Sequence, residues 1–351
     1  MAGSGGLCGA PLKKRVRDVS WFQGAWGVRV VIPAGDQGRL SRRFLGGSLL
    51  EQLRSIKSMR WVMLNLTAPS FGGLFTARVK EVRTSLGDAA LPPFDLLDYY
   101  VKGLKMAGYR VILYVASQGP SLEFLGNRKN DVLLKLPKRK SWLLSTVDER
   151  RHSYLAKSGV KARGVQEFAM IIEAFSRKFG ADIDGWWFDH GVHSRPEILI
   201  PAAKAGNANA IVAWNARKKF VKLDGHWLWP LERLTPLSDF TDGHVSPTLK
   251  DGKGVLPWWP GNHFLVEQVL RCDRISGAIP HLFIPLQSTW RGGKEVFPAT
   301  LAVHWTKEVV GASGAITWAA ALRPPEFTKA EIDPRVYRVL QRIDSSFLMG
   351  D

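Results

Sequence analysis

The sequence predicts an α/β protein and, within that class, a (β/α)8 barrel (a TIM barrel) formed as a single domain. Eight short apolar segments, rich in β-branched and aromatic residues, recur along the chain, and most are separated by segments with helical spacing. The apolar segments lack strict alternation, which is typical of parallel strands covered on both faces. Polar residues recur where these segments end, which favours a barrel over an open sheet.

The strands are predicted from their apolar character and from the turn residues that follow them. The first, WGVRVVIP, is β-branched and is closed by a Pro-Ala-Gly-Asp turn, and the second, WVMLNLT, ends in the polar residues Asn65 and Thr67. The central strand, GWWFD, follows a strong amphipathic run that ends at Gly180. The eight predicted strands are residues 26–33, 61–67, 110–116, 185–189, 210–215, 240–244, 281–287 and 315–320.

The helices are predicted from apolar spacing and from their end signals. Ser48 and Glu51 fit a capping box, and Gly108 ends the helix that precedes the third strand. The predicted helices are residues 48–56, 94–106, 165–179, 196–205, 298–310 and 333–347. The sequence has no G-x-G-x-x-G after the first strand and no G-x-x-x-x-G-K-[ST], so a nucleotide-binding sheet has little support.

The same pattern predicts the domain organisation. Residues 1–20 form a flexible N-terminal extension, residues 21–322 form the barrel, and residues 323–351 form a closing C-terminal helix. A long basic segment around residues 117–158 lacks a clear strand and is predicted to be an insertion or a lid over the site.

The charge is strongly basic, with 49 Lys and Arg against 31 Asp and Glu and a net charge of +18. Such a field attracts polyanions, either nucleic acid or an anionic polysaccharide, although a solvated basic surface is an equally good explanation. No nucleic-acid motif accompanies the charge, so a nucleic-acid partner is the weaker reading. No apolar run approaches the roughly 20 residues of a membrane span, so no membrane partner is expected. The sequence does not define an oligomeric state.

The N-terminus and the cysteines give only negative signals. The first ten residues have no basic segment followed by an apolar core, so no secretory signal is predicted. The chain as it stands is therefore expected in the cytoplasm, unless a signal has been removed. The two cysteines, Cys8 and Cys272, have no ligand spacing around them and predict neither a disulfide framework nor a zinc site.

The stretch DIDGWWFDH, residues 182–190, is the strongest functional signal. A buried strand ends there in Asp189 and His190, at the end of the strand where barrels carry their chemistry. An ionised Asp beside Trp and Phe loses hydration, which costs free energy unless something pairs with it. Asp189 is therefore the first candidate for a working carboxylate, the alternative being an Asp that caps the following turn.

Polar groups at the predicted strand ends favour carbohydrate chemistry, because amides and charges bond hydroxyls while indole faces cover C–H patches. Glycosidases usually need two ionisable groups beside the scissile bond. Asp189 fits the nucleophile, and Asp242 and His244 are the candidates for the proton donor because they share one face of a short predicted strand. Asp36 and Glu232 could instead reach in from loops.

Seven further residues, on or after the predicted strands, are assigned to substrate binding. They are Trp26, Asn65, Trp187, His190, Asn215, Arg291 and Trp318. His190 and His193 form an H-x-x-H pair, but no third ligand has matching spacing, so we expect no metal and no cofactor.

Three segments resemble glycoside hydrolase family 29, the α-L-fucosidases and their relatives. The stretch IDGWWFDH, residues 183–190, resembles the W-F-D-G strand of that family, and GNANAIVAWN, residues 206–215, resembles its G-N-P-D-S-I-V-A-F-N segment. The stretch SDFTDGH, residues 238–244, is similar to its D-Y-T-A-G-E. The resemblance implies a (β/α)8 barrel that hydrolyses α-L-fucosides with retention, and it places the nucleophile on Asp189.

The departures from that family suggest alternatives. The first and third strands lack the histidines that bind fucose hydroxyls there, and His244 stands where the family has an acidic residue. A related group of endo-acting fucan hydrolases pairs an Asp nucleophile with a His acid/base, which would suit His244 and an anionic, sulfated substrate. The sequence thus predicts a retaining glycoside hydrolase acting on an α-L-fucoside or a related sulfated sugar. A catalytically inactive barrel that binds glycans is the alternative.

Overall fold

The computed structural model describes most of the barrel region of the chain. The described residues are 18–33, 43–66, 75–86, 91–116, 160–189, 195–215, 221–223, 226–228, 231–243, 277–288, 290, 292–293, 296–323 and 329–349. Outside them lie residues 1–17 of the predicted N-terminal extension, the basic insertion, His190, His193, His244 and Arg291, so the predictions for these residues stay predictions. None of the helices in the described ranges has the length and apolarity needed to cross a bilayer.

The strands alternate with helices over most of the described chain. The strands are β1 (Ala25–Val30), β2 (Trp61–Asn65), β3 (Arg110–Ala116), β4 (Gly185–Asp189), β5 (Ile211–Trp214), β6 (Val221–Leu223), β7 (His226–Leu228), β8 (His281–Pro285) and β9 (Ala315–Ala319). The helices are α1 (Leu49–Ser55), α2 (Lys80–Leu86), α3 (Leu96–Met106), α4 (Val160–Phe179), α5 (Pro196–Lys204), α6 (Ala299–Gly311) and α7 (Pro334–Leu348).

Seven of these strands form one parallel sheet in the order β5-β4-β3-β2-β1-β9-β8. This order is a half-barrel of the (β/α) type, and seven of the eight predicted strands are confirmed in it. The predicted strand at 240–244 is reduced to an isolated parallel bridge between Phe240 and Ile279. The sequence did not predict α2 or the antiparallel hairpin of β6 and β7.

The segment around this bridge is hydrogen-bonded on two sides. The backbone N–H of Asp239 donates to the carbonyl of Val212 in β5 at 2.7 Å, and the N–H of Phe283 in β8 donates to the carbonyl of Gly243 at 2.7 Å. The segment therefore lies between the two outer strands of the seven-stranded sheet.

The sheet has two apolar faces, and successive residues of each strand alternate between them. Trp61 and Met63 of β2 belong to an inner cluster, whereas Val62 and Leu64 pack outward against the helices. The sequence did not suggest this alternation, because both faces are apolar and the pattern of hydrophobicity hides it. The alternation decides which strand residues reach the inside of the barrel.

The end of the half-barrel opposite the strand C-termini is filled by the phenyl ring of Phe22, which lies in the N-terminal turn. Phe22 packs at 4.5 Å from the Trp61 ring, at 4.6 Å from Phe240 and at 5.4 Å from His281, measured between ring centroids. Phe22 and Trp61 are fully buried. This end is thus packed solid, which leaves the other end for a site.

A short polar chain runs through this packed end. The Trp61 indole N–H donates to the Thr317 hydroxyl at 3.0 Å, and Nε2 of His281 lies 2.8 Å from the same hydroxyl. Nδ1 of His281 lies 3.2 Å from the carbonyl of Thr241, which can only accept. In the neutral ring, Nδ1 therefore carries the proton and Nε2 accepts from Thr317.

The buried carboxylate of Asp184 ties β4 to its neighbours. It accepts hydrogen bonds from Lys105 Nζ at 2.8 Å, from Arg110 Nη1 at 2.7 Å and from the backbone N–H of Val111 at 2.9 Å. Two cations and a backbone donor offset the cost of burying this charge. These contacts fix the start of β4 against β3 and α3.

Gly27 of β1 approaches Trp61 too closely to carry a side chain. A Cβ at Gly27 would lie 2.3 Å from Cε2 and Nε1 of the Trp61 indole, which packing and a hydrogen bond hold in place. We expect Gly27→Ala to destabilise the protein by roughly 1–3 kcal/mol through overpacking, measured as a lower Tm. Gly311→Ala, at the end of α6 with open space around it, is the control and should leave the Tm nearly unchanged. Equal Tm values for the two variants would contradict the packing described.

Asp333, at the N-terminus of α7, should make the stability of the fold depend on pH. Burial raises the pKa of Asp333, but hydrogen bonds from the Arg335 side chain and backbone outweigh it, so the pKa lies below its usual range. A lowered pKa stabilises the fold above the ordinary Asp value, and this contribution is lost as pH falls through the folded-state value. We expect the Tm difference between wild type and Asp333→Asn to be constant at neutral pH and to shrink below about pH 4. A difference that does not change with pH would contradict this assignment.

Candidate active site

The site is built around Asp189, the last residue of β4. The register pairs Ala116 of β3 with Asp189 and Tyr114 with Trp187, so Tyr114 and Trp187 point to the same inner face. Asp189 is 6% exposed. Its Oδ2 accepts a hydrogen bond from the Tyr114 hydroxyl at 2.5 Å, and its Oδ1 accepts one from Asn215 Nδ2 at 2.6 Å.

Three adjacent strands thus supply the carboxylate and two of its donors. Asn215 directly follows β5, and its backbone N–H donates to the carbonyl of Phe188 at 2.7 Å, which fixes its position beside the end of β4. Hydrogen bonds of this length to an ionised carboxylate are strong, and they restrict the orientation of the group. The arrangement stabilises a buried negative charge at the C-terminal end of the sheet, where barrels bind their ligands.

Aromatic and cationic groups support the Tyr114 ring. It stacks on Trp187 with a centroid distance of 5.3 Å and an interplanar angle of 20°. The guanidinium of Arg29, on β1, lies 5.3 Å from the centre of the Tyr114 ring. Arg29 is 7% exposed, and its Nη1 donates to the carbonyl of Trp290 at 3.2 Å. The buried Arg29 cation therefore lies over the ring of the tyrosine that donates to Asp189.

Trp187, on the same strand as Asp189, also contacts the candidate proton donor Asp242. The Trp187 indole N–H donates to the backbone carbonyl of Asp242 at 2.7 Å, and Asp242 is 1% exposed. Gly243 has a φ of +72°, so the chain leaves the extended conformation directly after Asp242. His244 lies outside the described residues, so the expectation that Asp242 and His244 share one strand face stays a prediction.

A further indole lies beside these groups. Trp290, in the loop after β8, is half-buried and packs against Phe283 with ring centroids 4.8 Å apart. Phe283 in turn meets Trp187 edge-on at 5.0 Å. The inner face near Asp189 is therefore lined by indole and phenyl rings, which suit the C–H faces of sugars.

The structure brings four of the predicted site residues together: Asp189, Trp187, Asn215 and Asp242. Asn65 has a different role from the predicted one, because its amide hydrogen-bonds to the backbone just after β1. Asn65 Oδ1 accepts from the N–H of Ile32 at 2.7 Å, and Nδ2 donates to the Ile32 carbonyl at 2.9 Å.

Two predicted substrate-binding tryptophans point away from the site. The Trp26 indole donates to Ser58 Oγ at 3.1 Å, and the Trp318 indole donates to Thr306 Oγ1 in α6 at 3.0 Å. Both rings are buried in the outer core, between the sheet and the helices. Strand alternation explains this, because their neighbours Gly27 and Thr317 face inward and take the inner positions.

The sequence reasoning missed Tyr114, Arg29 and Trp290. The signal for Arg29 was present, since a charged residue inside the apolar strand WGVRVVIP needs a reason to be buried. Tyr114 lies two residues before the end of β3, and only alternation relative to β4 shows that it faces Asp189. Within the described ranges, no group of three or more His, Cys, Asp or Glu residues is placed to hold a metal ion.

Comparison with solved structures finds the same fold in enzymes that act on fucose polymers. The endo-fucoidan hydrolase P5AFcnA from glycoside hydrolase family 107 matches with a TM-score of 0.71 at 17% identity, over 93% of this chain and 92% of that chain. The endo-fucoidan hydrolase MfFcnA9 of the same family matches with a TM-score of 0.68 at 19% identity, over 99% of this chain and 65% of that chain. At these identities the likeness shows the fold alone.

The α-L-fucosidases are less similar. A putative α-L-fucosidase from Bacteroides thetaiotaomicron matches with a TM-score of 0.54 at 10% identity, over 93% of this chain and 74% of that chain. A search of curated protein sequences gave no significant match. At this identity the likeness again shows the fold alone, and the specific expectation of glycoside hydrolase family 29 is not supported.

The sequence itself matches a family profile described as endo-alpha(1,4)-fucoidanase Mef1, over residues 16–232. This match covers more than half of the 351 residues and includes β1 to β5 with Asp189 and both of its described donors. The protein therefore belongs to the endo-α(1,4)-fucoidanase Mef1 family and is a glycoside hydrolase.

Proposed function

We propose that this protein is an endo-acting fucoidanase that hydrolyses internal α-L-fucosidic bonds of a sulfated fucan with retention of configuration. The observation that carries the proposal is the buried Asp189 carboxylate, held by Tyr114 and Asn215 at the C-terminal end of β4. Family membership supports the substrate class. The net charge of +18 supports it too, because a basic protein attracts a sulfated polymer.

Asp189 is the proposed nucleophile. In the first step a carboxylate oxygen bonds to the anomeric carbon, the glycosidic C–O bond breaks, and the acid/base gives its proton to the leaving oxygen. In the second step the same group takes a proton from water, the water oxygen bonds to the anomeric carbon, and the electron pair of the C–Oδ bond returns to Asp189. Two inversions at one carbon leave the configuration retained.

The acid/base is proposed to be His244, with Asp242 as the alternative. The ordinary pKa range of a His side chain suits proton donation near neutral pH. The deep burial of Asp242, at 1% exposure, supports His244, since a donor must reach the leaving oxygen and then solvent water. A His244→Gln variant should keep more of its rate on substrates with an acidic leaving group than on the natural polymer.

The site also needs a closed barrel, and we propose that residues 239–243 occupy the position of the eighth strand. The hydrogen bonds of this segment to Val212 on one side and to Ile279 and Phe283 on the other support this. The closure would bring Asp242 to the inner face beside Trp187, opposite the strands that hold Asp189.

Loss of Asp189 is the first test. Asp189→Ala should reduce hydrolysis of sulfated fucan at least ~10³-fold, measured as release of reducing ends, because it removes the group that attacks the anomeric carbon. Added azide should restore turnover and give a glycosyl azide of inverted configuration. The matched control is Asp98→Asn, a partly exposed residue paired with Lys102 on α3, which should keep wild-type activity. Wild-type activity in Asp189→Ala, or inverted products from the wild type, would overturn the proposal.

Substitution of Asn65 should mainly lower stability, whereas substitution of Asn215 should mainly lower activity. Asn65→Ala leaves two buried backbone groups of Ile32 without their partners, so it should lower the Tm and cost roughly 1–3 kcal/mol. Asn215→Ala removes a donor to Asp189 and should reduce kcat on sulfated fucan roughly 10- to 100-fold with a smaller change in Tm. The reverse pattern would mean that Asn65 contacts the substrate and that Asn215 does not act through Asp189.

A further inference from the structure

We infer that Tyr114 is a positioning residue that governs the second half of the reaction, the release of the sugar from Asp189. The inference rests on the proposed function, since it needs Asp189 to form the covalent intermediate. It starts from the 2.5 Å hydrogen bond between the Tyr114 hydroxyl and Asp189 Oδ2. This bond changes strength during the reaction because the charge of its acceptor changes.

The Tyr114 hydroxyl is held in place beside Asp189. The ring is 4% exposed and stacks on Trp187 with an interplanar angle of 20°, so it has little freedom to turn away. It is anchored on β3 beside β4, and the register of Tyr114 with Trp187 carries the hydroxyl toward the next inward residue of β4, which is Asp189. The donor is therefore in place throughout the cycle.

Arg29 strengthens this donor. Its guanidinium lies 5.3 Å from the centre of the Tyr114 ring and is buried, where a charge is poorly screened. A positive charge over the ring draws electron density from it, which makes the phenol a stronger donor to an anion. Asn215 offers Asp189 an amide N–H, which is a weaker donor than a phenol in this environment.

The charge on Asp189 is full in the free enzyme, is lost in the glycosyl ester and returns when the ester breaks. A hydrogen bond to the carboxylate therefore stabilises the free enzyme most, both transition states partly and the ester least. It follows that the Tyr114 hydroxyl retards formation of the intermediate and speeds its breakdown. Tyr114 keeps its proton throughout, so no atom or charge is left unbalanced.

Removing the hydroxyl should thus have opposite effects on the two steps. In Tyr114→Phe, breakdown of the intermediate should slow roughly 10- to 100-fold, the loss expected for a hydrogen bond to a charged group. The kcat should fall by that factor and KM should fall with it, so that kcat/KM stays unchanged or rises. The covalent intermediate should accumulate. A residue that merely supports the fold would lower kcat and kcat/KM together.

The test uses the full chain and a 4-nitrophenyl glycoside of an α-linked sulfated fuco-oligosaccharide, whose good leaving group makes the first step fast. The expected result for Tyr114→Phe is a burst of 4-nitrophenol equal to the enzyme concentration, and an intact mass raised by one glycosyl group at steady state. Tyr109→Phe is the matched control. The Tyr109 hydroxyl donates to the Ile56 carbonyl at 2.8 Å and not to Asp189. This variant should show wild-type kinetics.

A second variant keeps the inference testable if Tyr114→Phe does not fold. Replacing Tyr114 with 3-fluorotyrosine retains the hydroxyl and makes it a stronger donor, so breakdown of the intermediate should become faster and less of it should accumulate. A parallel fall of kcat and kcat/KM without a burst in Tyr114→Phe would overturn the inference. That result is distinct from failure of the proposed function, which Asp189→Ala with azide and the configuration of the wild-type product report independently.

Discussion

The hydrogen bonds from Tyr114 and Asn215 to Asp189 are the interaction on which the rest of the site depends. They join the ends of three neighbouring parallel strands, so the site exists only if β3, β4 and β5 keep their register. A shift of one residue would turn each of these side chains to the outer face. Asp189, Tyr114 and Asn215 are all buried, and a hydrogen bond is stronger in such a poorly hydrated place than in water.

The opposite end of the barrel maintains that register. Asp184 anchors the start of β4 to Lys105, Arg110 and the backbone of Val111, and Phe22 fills the space between the strands. The Asp184 carboxylate and the Phe22 ring are buried, so these contacts form a rigid base. The catalytic end can then carry loops of any shape without disturbing the carboxylate, which is the usual division of work in a barrel.

The sequence was sufficient to predict the class of fold, seven of the sheet strands and the position of Asp189 at the end of a buried strand, because each depends on local signals. The sequence was insufficient to predict which face of the sheet each strand side chain points to. Trp26 and Trp318 were assigned to substrate because they lie in strands that lead to the site, yet both face the helices. Strands buried on both faces hide their alternation, so direction follows only from the register with neighbours. Tyr114 and Arg29 were missed for the same reason.

Asp184 and Asp189 stand five residues apart, at opposite ends of one strand, and their surroundings give them different roles. Asp184 is paired with two cations, so its carboxylate is engaged in holding β4 against its neighbours. Asp189 accepts hydrogen bonds from a phenol and an amide, which restrict the orientation of the carboxylate. The cation of Arg29 lies over the Tyr114 ring, which donates to this carboxylate. In the proposed mechanism this charge strengthens the Tyr114 hydrogen bond as the negative charge returns to Asp189, which is the reason for assigning Tyr114 to the second step.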